Sequence, residues 1–174
     1  MNQEKDDHEK LNIRIANEAD SGIVLGFIKD LAEFEKLAKE VRATDEIIRE
    51  NVFRKKYAEV LIAEYKDLPV GFALYFHNFS TFLGRPGIYL EDLYIRSEFR
   101  GKGFGKQLLI YLAKLARQRE CGRVEWAVLD WNEKAISFYK SLGAIQLNDW
   151  IVNRVTGSAL ENLADEPCAS WIGE

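Results

Sequence analysis

The stretch Arg100-Gly101-Lys102-Gly103-Phe104-Gly105-Lys106 stands between a predicted strand, residues 88–95, and a helix marked by leucines at three- and four-residue steps. Backbone N–H groups in such a loop converge at a helix N-terminus, where the helix dipole favours an anion such as phosphate. The spacing excludes two familiar phosphate loops. The dinucleotide fingerprint requires a third glycine where this chain has Lys106, and the Walker loop requires its first glycine where this chain has Arg100. A turn without a ligand is the alternative, but the three cations of the stretch favour a phosphate site.

Length and composition are typical of a globular chain. The 174 residues are 47% hydrophobic, so we expect one domain over residues 11–164, between a flexible charged arm at 1–10 and a tail at 165–174. The 24 basic and 28 acidic residues give a net charge of −4, which does not attract nucleic acid or an anionic membrane. The sequence has two cysteines and no apolar run of about 18 residues, so we expect a cytoplasmic protein.

Hydropathy patterns predict the element order β-α-α-β-β-β-α-β-α-β. Strands are expected at residues 11–15, 59–65, 70–76, 88–95, 124–129 and 150–155, with a chain break at Arg85-Pro86-Gly87. Helices are expected after Asp20-Ser21, from Thr44, after the glycine stretch, from Asn132 to about Leu142 and at residues 158–164. The early strands are antiparallel, and a parallel crossover follows them.

The glycine stretch and four other segments resemble a known family. Arg100, Gly103 and Gly105 fit the signature of the GCN5-related N-acetyltransferases: Arg or Gln, two residues, Gly, one residue, then Gly or Ala. Residues 28–35 (IKDLAEFE), 89–95 (YLEDLYI), 130–133 (DWNE) and 137–140 (SFYK) resemble the diamine (spermidine/spermine) acetyltransferase subfamily. The resemblance spans roughly residues 11–155 and implies an α/β fold, with a mixed, mostly antiparallel sheet and helices on both faces.

The resemblance also implies a binding mode for acetyl-CoA. The cosubstrate lies in a cleft between residues 91–95 and 124–129, where backbone groups of Leu93 and Ile95, on either side of Tyr94, pair with the pantetheine arm. Asn132 lies near the pantetheine, and Tyr139 is the general acid that protonates the departing thiolate. Tyr139 follows Asn132 by two helical turns, so both project from nearly one face. The pyrophosphate contacts Arg100, Gly101, Lys102, Gly103, Phe104, Gly105 and Lys106.

Two carboxylates are expected near the reacting amine. Along a strand Glu91 shares its face with Leu93, and Asp92 shares the other face with Tyr94, unless a bulge intervenes. Because both have apolar neighbours, we expect desolvation to raise the pKa of Glu91, which binds the cationic amine and helps take its proton, directly or through water. A solvated edge strand without function is the alternative interpretation.

Substrate choice depends on a few further side chains. Phe34 and Glu35 match a pair that meets the polyamine in the subfamily, although the aromatic there is typically Tyr, and Asp92 belongs to the same pocket. Glu125 and Trp126 are candidates for its lining. Residues 146–149 keep one charge, Asp149, where the subfamily has more acidic residues, which allows shorter amines such as diamines, lysine analogues or amino acids.

The sequence therefore predicts an acetyl-CoA-dependent N-acetyltransferase whose acceptor, a primary amine of a small di- or polyamine, attacks the thioester directly. Acetylation of an amino acid, a lysine analogue or a protein N-terminus is the alternative, and a non-catalytic CoA-binding regulator is the rival from another class. The subfamily implies a homodimer with the last strand at its interface. No metal is expected, because His8 and His77 have no second ligand at metal-binding spacing, and Cys121 and Cys168 are expected to be inert.

Overall fold

The computed structural model describes residues 10–167, so most of the predicted arm, and Cys168 in the predicted tail, lie outside the described residues. Five strands form one sheet in the order β1-β2-β3-β4-β5. They are β1 Asn12–Ile15, β2 Glu59–Tyr65, β3 Leu68–Ser80, β4 Arg85–Ile95 and β5 Val124–Trp126. Neighbours from β1 to β4 are antiparallel, and β4 and β5 are parallel.

The helices are α1 Ser21–Phe34, α2 Asp45–Ile48, α3 Phe104–Gln118, α4 Glu133–Ser141 and α5 Ser158–Ala164, and α2 continues as a π-helical segment over Arg49–Arg54. The chain divides into two compact units at residues 127 and 128. The sheet and α1 to α3 belong to the first unit, and α4 and α5 belong to the second. Within residues 10–167 no helix is long and apolar enough to cross a membrane.

Both faces of the sheet are covered by helices. Four consecutive residues of β2, Val60 to Ala63, are at most 1% exposed, which requires a layer on each side because side chains alternate along a strand. On one side Phe27 of α1 stacks on Phe72 of β3 with ring centroids 5.4 Å apart. On the other side Arg119, just after α3, donates from Nη2 to Glu59 at 2.7 Å. The expected mixed sheet with helices on both faces is confirmed.

Local signals explain the ends of several elements. The β2–β3 hairpin turns at Lys66 and Asp67, which both have positive φ, as a two-residue hairpin turn of type I′ requires. The Thr44 hydroxyl caps α2 by accepting from Ile47 N at 3.2 Å. Asp20 is the N-cap residue of α1, as expected, but its carboxylate makes no capping hydrogen bond to that helix and instead accepts from Arg14 at 2.7 Å and from Asn17 N at 2.8 Å.

The most consequential irregularity lies in the middle of β4. Leu74 of β3 pairs with Asp92 and Tyr75 pairs with Leu90, so Glu91 is an extra residue, a β-bulge. The pairing of β4 with β5 ends at Leu90 opposite Trp126, whereas β4 continues to Ile95. Beyond the bulge β4 therefore keeps one strand partner, β3.

The predicted start of β4 and the predicted end of β5 are wrong. Arg85, Pro86 and Gly87 do not break the chain but pair with Ser80, Phe79 and Asn78, because the turn falls earlier and includes Gly84 at φ +61°. The fifth strand ends at Trp126 rather than at residue 129.

No strand forms at residues 150–155, where Trp150, Ile151 and Val152 are 74%, 84% and 82% exposed. A strand needs a neighbour for its backbone groups, and within residues 10–167 none pairs with this segment.

The substitution Gly71→Ala tests how tightly β3 holds the end of β4. A Cβ at Gly71 would lie 2.6 Å from the carbonyl oxygen of Tyr94 and would also overlap Ile95 Cδ1, so the backbone of β4 must shift. We expect a loss of about 1–3 kcal/mol in the free energy of unfolding, the usual cost of overpacking, measured by urea denaturation.

Gly26→Ala is the matched control. A Cβ at Gly26, in the interior of α1, meets nothing within 4 Å. Alanine should there stabilise the helix by about 0.5–1 kcal/mol. Equal effects of the two substitutions would contradict a tight contact between β3 and the end of β4.

Candidate active site

The glycine loop leads directly into α3. Gly101 and Gly103 have φ of +79° and +80°, a left-handed conformation that L side chains rarely adopt, and a Cβ at either position would meet nothing within 4 Å. Gly103 is the N-cap of α3, and no side chain caps this helix. The first turn of α3 thus has no side-chain cap on its N–H groups, and the space beside Gly101 and Gly103 is open, an arrangement that suits a phosphate group.

The cations of the loop differ in their surroundings. Lys102 and Lys106 are exposed, and Lys102 Nζ lies 5.6 Å from the ring centroid of Tyr65. Arg100 is exposed as well, but its Nε donates to the carbonyl oxygen of Ile95 at 2.8 Å. That Arg100, Lys102 and Lys106 contact a pyrophosphate stays a prediction, and of the three it is the Arg100 side chain that already bonds a backbone carbonyl of the protein.

Buried contacts hold the loop in place. The Phe104 side chain is 8% exposed, with its ring 5.2 Å from that of Tyr65, so this residue offers a ligand its backbone rather than its ring. A Cβ at Gly105 would lie 4.0 Å from Ile95 Cγ1, which shows how closely α3 approaches the end of β4. Tyr65 also contacts Phe99 at 6.3 Å between centroids, a support that no local sequence pattern reveals.

The end of β4 offers a free backbone edge. Leu93, Tyr94 and Ile95 pair on one side with Ala73, Phe72 and Gly71 of β3. On the other side the last pair with β5 is Leu90 with Trp126, and no other strand of the described chain pairs there. An extended ligand can add to such an edge through backbone hydrogen bonds alone.

The bulge separates the two predicted carboxylates. Glu91 is exposed at the bulge, which corrects the expectation that it is the desolvated group. Asp92 pairs with Leu74 and is half-buried on the face of the sheet that α1 covers. Burial, then the charges of Glu91 and Glu35, raise the pKa of Asp92 to about 6.

The end of α1 joins the same group. Phe34 is the last residue of α1 and is 39% exposed, and the half-buried Glu35 follows it. Burial raises the pKa of Glu35, and its charge acts on Asp92. The charges of Glu35 and Glu91 thus both act on Asp92, and we call these three predicted residues the acidic cluster. Asp92 and Glu91 lie three and four residues before Ile95, the last residue of β4.

Glu125 and Trp126 stand on β5. The Glu125 carboxylate accepts from Asn78 Nδ2 at 2.7 Å and pairs with Arg123 Nε at 2.8 Å, so its charge is already balanced within the sheet. Trp126 is opposite Leu90 at the last pair of β4 and β5. Trp126 therefore marks the point where β4 and β5 separate.

The second unit carries Asn132 and Tyr139. The Asn132 side chain accepts from Ala135 N at 3.2 Å and caps α4, as its position before the helix predicts. Burial raises the pKa of Tyr139, and its ring lies 5.3 Å from that of Phe138. The Tyr139 hydroxyl therefore stays protonated at neutral pH. Among residues 10–167 no group of three or more His, Cys, Asp or Glu is arranged to hold a metal ion.

Curated relatives cover most of the chain. Thialysine N-epsilon-acetyltransferase of Bos taurus is 38% identical over 164 residues, 87% of this chain and 96% of that protein. L-ornithine N5-acetyltransferase of Arabidopsis thaliana is 43% identical over 113 residues, 65% of this chain and 46% of that protein. Spermidine/spermine N(1)-acetyltransferase-like protein 1 of Homo sapiens is 32% identical over 166 residues, 88% of this chain and 24% of that protein.

A solved integron cassette protein from the mobile metagenome of V. cholerae has the same fold, with a TM-score of 0.77 and 27% identity over 90% of this chain and 98% of that one. The profile of the acetyltransferase (GNAT) family matches residues 25–144, more than half of the chain. The resemblance noted in the glycine loop is thereby confirmed. The chain belongs to the GNAT acetyltransferase family and is an N-acetyltransferase.

Proposed function

We propose that the enzyme transfers an acetyl group from acetyl-CoA to the terminal primary amine of a small basic amino acid, of the kind that thialysine and ornithine represent. The observation that carries this proposal is the acidic cluster of Glu35, Glu91 and Asp92 beside the free edge of β4. Three carboxylates at one place suit an acceptor that arrives as a cation. The relatives named for thialysine and ornithine support the same class of acceptor.

The first unit supplies groups that fit acetyl-CoA. Backbone groups of Leu93 and Ile95 would pair with the pantetheine arm along the free edge of β4. The N–H groups from Gly101 to Lys106, with the ammonium groups of Lys102 and Lys106, would hold the pyrophosphate. When bound, acetyl-CoA supplies an acetyl thioester, and Asn132 is the further proposed contact with the pantetheine.

The acceptor must lose a proton before it can attack. An alkyl amine with a pKa near 10.4 is about three pH units from its neutral form at pH 7, which costs on the order of 4 kcal/mol. With a pKa of about 6, Asp92 is largely ionised at pH 7 and is a better-matched proton acceptor than an ordinary aspartate. The exposed Glu91 at the bulge would attract the cation and pass the proton to water.

The departing thiolate needs a proton in turn, and Tyr139 is the proposed donor. Burial keeps its hydroxyl protonated, which suits a general acid. The amine attacks the thioester directly in this scheme, without an acyl-enzyme.

A diamine is the second candidate acceptor, and the human relative named for spermidine and spermine favours it. Both acceptor classes carry a second cation that Glu35 could hold. They differ in that the amino acid carries an α-carboxylate and the diamine does not.

We further propose a cytoplasmic enzyme that works as a homodimer, with the exposed apolar side chains of Trp150, Ile151 and Val152 against the second copy.

A panel of acceptors tests the substrate class. Thialysine, ornithine, lysine, putrescine, spermidine and a simple monoamine are compared by thiol release from acetyl-CoA, and kcat/KM should be highest for a basic amino acid. Glu35→Gln should raise KM for the doubly cationic acceptors by about three- to tenfold and leave the monoamine nearly unchanged, because only the former lose a charge partner. Faster turnover of putrescine or spermidine than of every amino acid would assign the enzyme to diamines instead.

The pH dependence tests Asp92 as proton acceptor. Only its ionised form can take a proton, so log kcat/KM for the amine should climb steeply below pH 6 and bend near pH 6, where Asp92 titrates. Asp92→Asn should lower kcat/KM by about 100-fold or more and abolish that bend. Asp165→Asn, at the exposed C-terminal end of α5, is the matched control and should keep the wild-type profile. A bend that persists in Asp92→Asn would exclude Asp92 from this role.

Tyr139→Phe tests the proposed general acid. The ring and its contact with Phe138 remain, and only the hydroxyl is lost. We expect kcat to fall by about ten- to a thousandfold while the affinity for acetyl-CoA stays within twofold. Tyr57→Phe, at a side chain that is 69% exposed, is the control and should leave kcat unchanged. If kcat is unaltered in Tyr139→Phe under conditions where the chemical step limits the rate, Tyr139 is not the general acid and contributes only to packing.

A further inference from the structure

The side chain of Arg100 is held between two aromatic rings. Its guanidinium carbon lies 4.5 Å from the ring centroid of Phe34 and 5.2 Å from that of Tyr94. Its Nε donates to the carbonyl oxygen of Ile95 at 2.8 Å. Arg100 also hydrogen-bonds the Tyr94 hydroxyl, and within residues 10–167 no carboxylate forms an ion pair with it.

These contacts join three parts of the candidate site. Phe34 is the last residue of α1 and precedes Glu35 of the acidic cluster. Tyr94 and Ile95 end the β4 edge, and Arg100 directly precedes the left-handed Gly101 of the glycine loop. One side chain thus connects the end of α1, the end of β4 and the loop.

The stack lies on the same face of the sheet as the acidic cluster. Tyr94 and Asp92 are two residues apart on β4 and pair with Phe72 and Leu74, which lie on the face that α1 covers. Glu35 acts on Asp92 from the end of α1. Because Glu35 directly follows Phe34, a displacement of Phe34 from Arg100 would also move the backbone of Glu35.

Stacking needs the planar guanidinium. A cation–π contact contributes about 0.5–1 kcal/mol at exposed sites and about 2 kcal/mol when desolvated. Arginine also offers a planar fork that lies flat on a ring while Nε still donates, whereas a lysine ammonium is a compact charge that cannot do both. Arg100→Lys consequently keeps the charge beside the loop and removes most of the stack.

We propose that Arg100 is a positioning residue for the amine acceptor: its stack on Phe34 and Tyr94 fixes the end of α1, and with it Glu35, against Asp92. This rests on the proposed function and adds that acceptor recognition depends on a residue of the cofactor loop. The Arg100 side chain acts through Phe34, while the neighbouring backbone and the exposed Lys102 and Lys106 serve the pyrophosphate.

The test is a double-mutant cycle on acceptor affinity. Thialysine binding to the enzyme–CoA complex is measured by calorimetry, which requires no turnover, for Arg100→Lys, Phe34→Leu and the double variant. Each single variant should weaken thialysine binding by about three- to thirtyfold. The double variant should lose no more affinity than the more impaired of the two single variants, because both substitutions remove the same stack. Phe34→Tyr keeps the ring and should restore binding to within twofold of wild type.

Two further readouts separate positioning from phosphate binding. Phe34→Leu should leave the affinity for CoA within twofold, whereas Lys106→Gln should weaken CoA binding and leave thialysine binding to the CoA-saturated enzyme unchanged. Unchanged thialysine affinity in folded Arg100→Lys and Phe34→Leu, or additive losses in the double variant, would overturn the inference. If the wild-type enzyme binds thialysine but does not acetylate it, the proposed acceptor class is wrong. The double-mutant cycle measures binding alone, so it would still decide whether Arg100 positions the end of α1.

Discussion

The loss of the β5 partner by β4 at Leu90 is the constraint on which the rest of the site depends. The bulge at Glu91 lies at this point and shifts the alternation of side chains, so that Leu90 packs beneath one face and Asp92 emerges on the other. Five residues of β4 then continue with a free edge and end beside the glycine loop. A backbone edge, a carboxylate of raised pKa and a helix N-terminus are thereby brought together by one irregularity in one strand.

The surrounding fold keeps this irregular strand in place. Gly71 of β3 leaves no room for a Cβ against Tyr94 and Ile95, and Phe104 packs on Tyr65 below the loop. On the face of the sheet that α1 covers, Arg96 Nε donates to the Asp30 carboxylate of α1 at 3.3 Å. The Arg96 guanidinium also lies over the ring of Phe27, 5.0 Å from its centroid. These contacts tie the C-terminal end of β4 to the core on both faces of the sheet, which allows this part of β4 to stay extended with β3 as its one strand partner.

The sequence predicts the parts of the site that depend on local chemistry. Glycines at 101 and 103 and the leucines of α3 indicate the loop and its helix, and both form as expected. The bulge depends on the register between β3 and β4, a long-range property, so alternation alone places both Glu91 and Asp92 beside apolar neighbours and does not show that Asp92 is the more buried of the two. The Arg100 stack likewise requires the end of α1 to meet β4. Residues 150–155 have the pattern of a strand, but a pattern cannot supply the neighbouring strand that their backbone needs.

Hydrogen–deuterium exchange with and without CoA tests most directly whether the free edge of β4 and the glycine loop form the cofactor site. Binding should slow exchange in peptides covering residues 91–106, because their backbone N–H groups gain partners, and leave the β3–β4 turn at residues 81–84 unchanged. Protection by CoA that spares residues 91–106 and appears elsewhere in the chain would contradict the account.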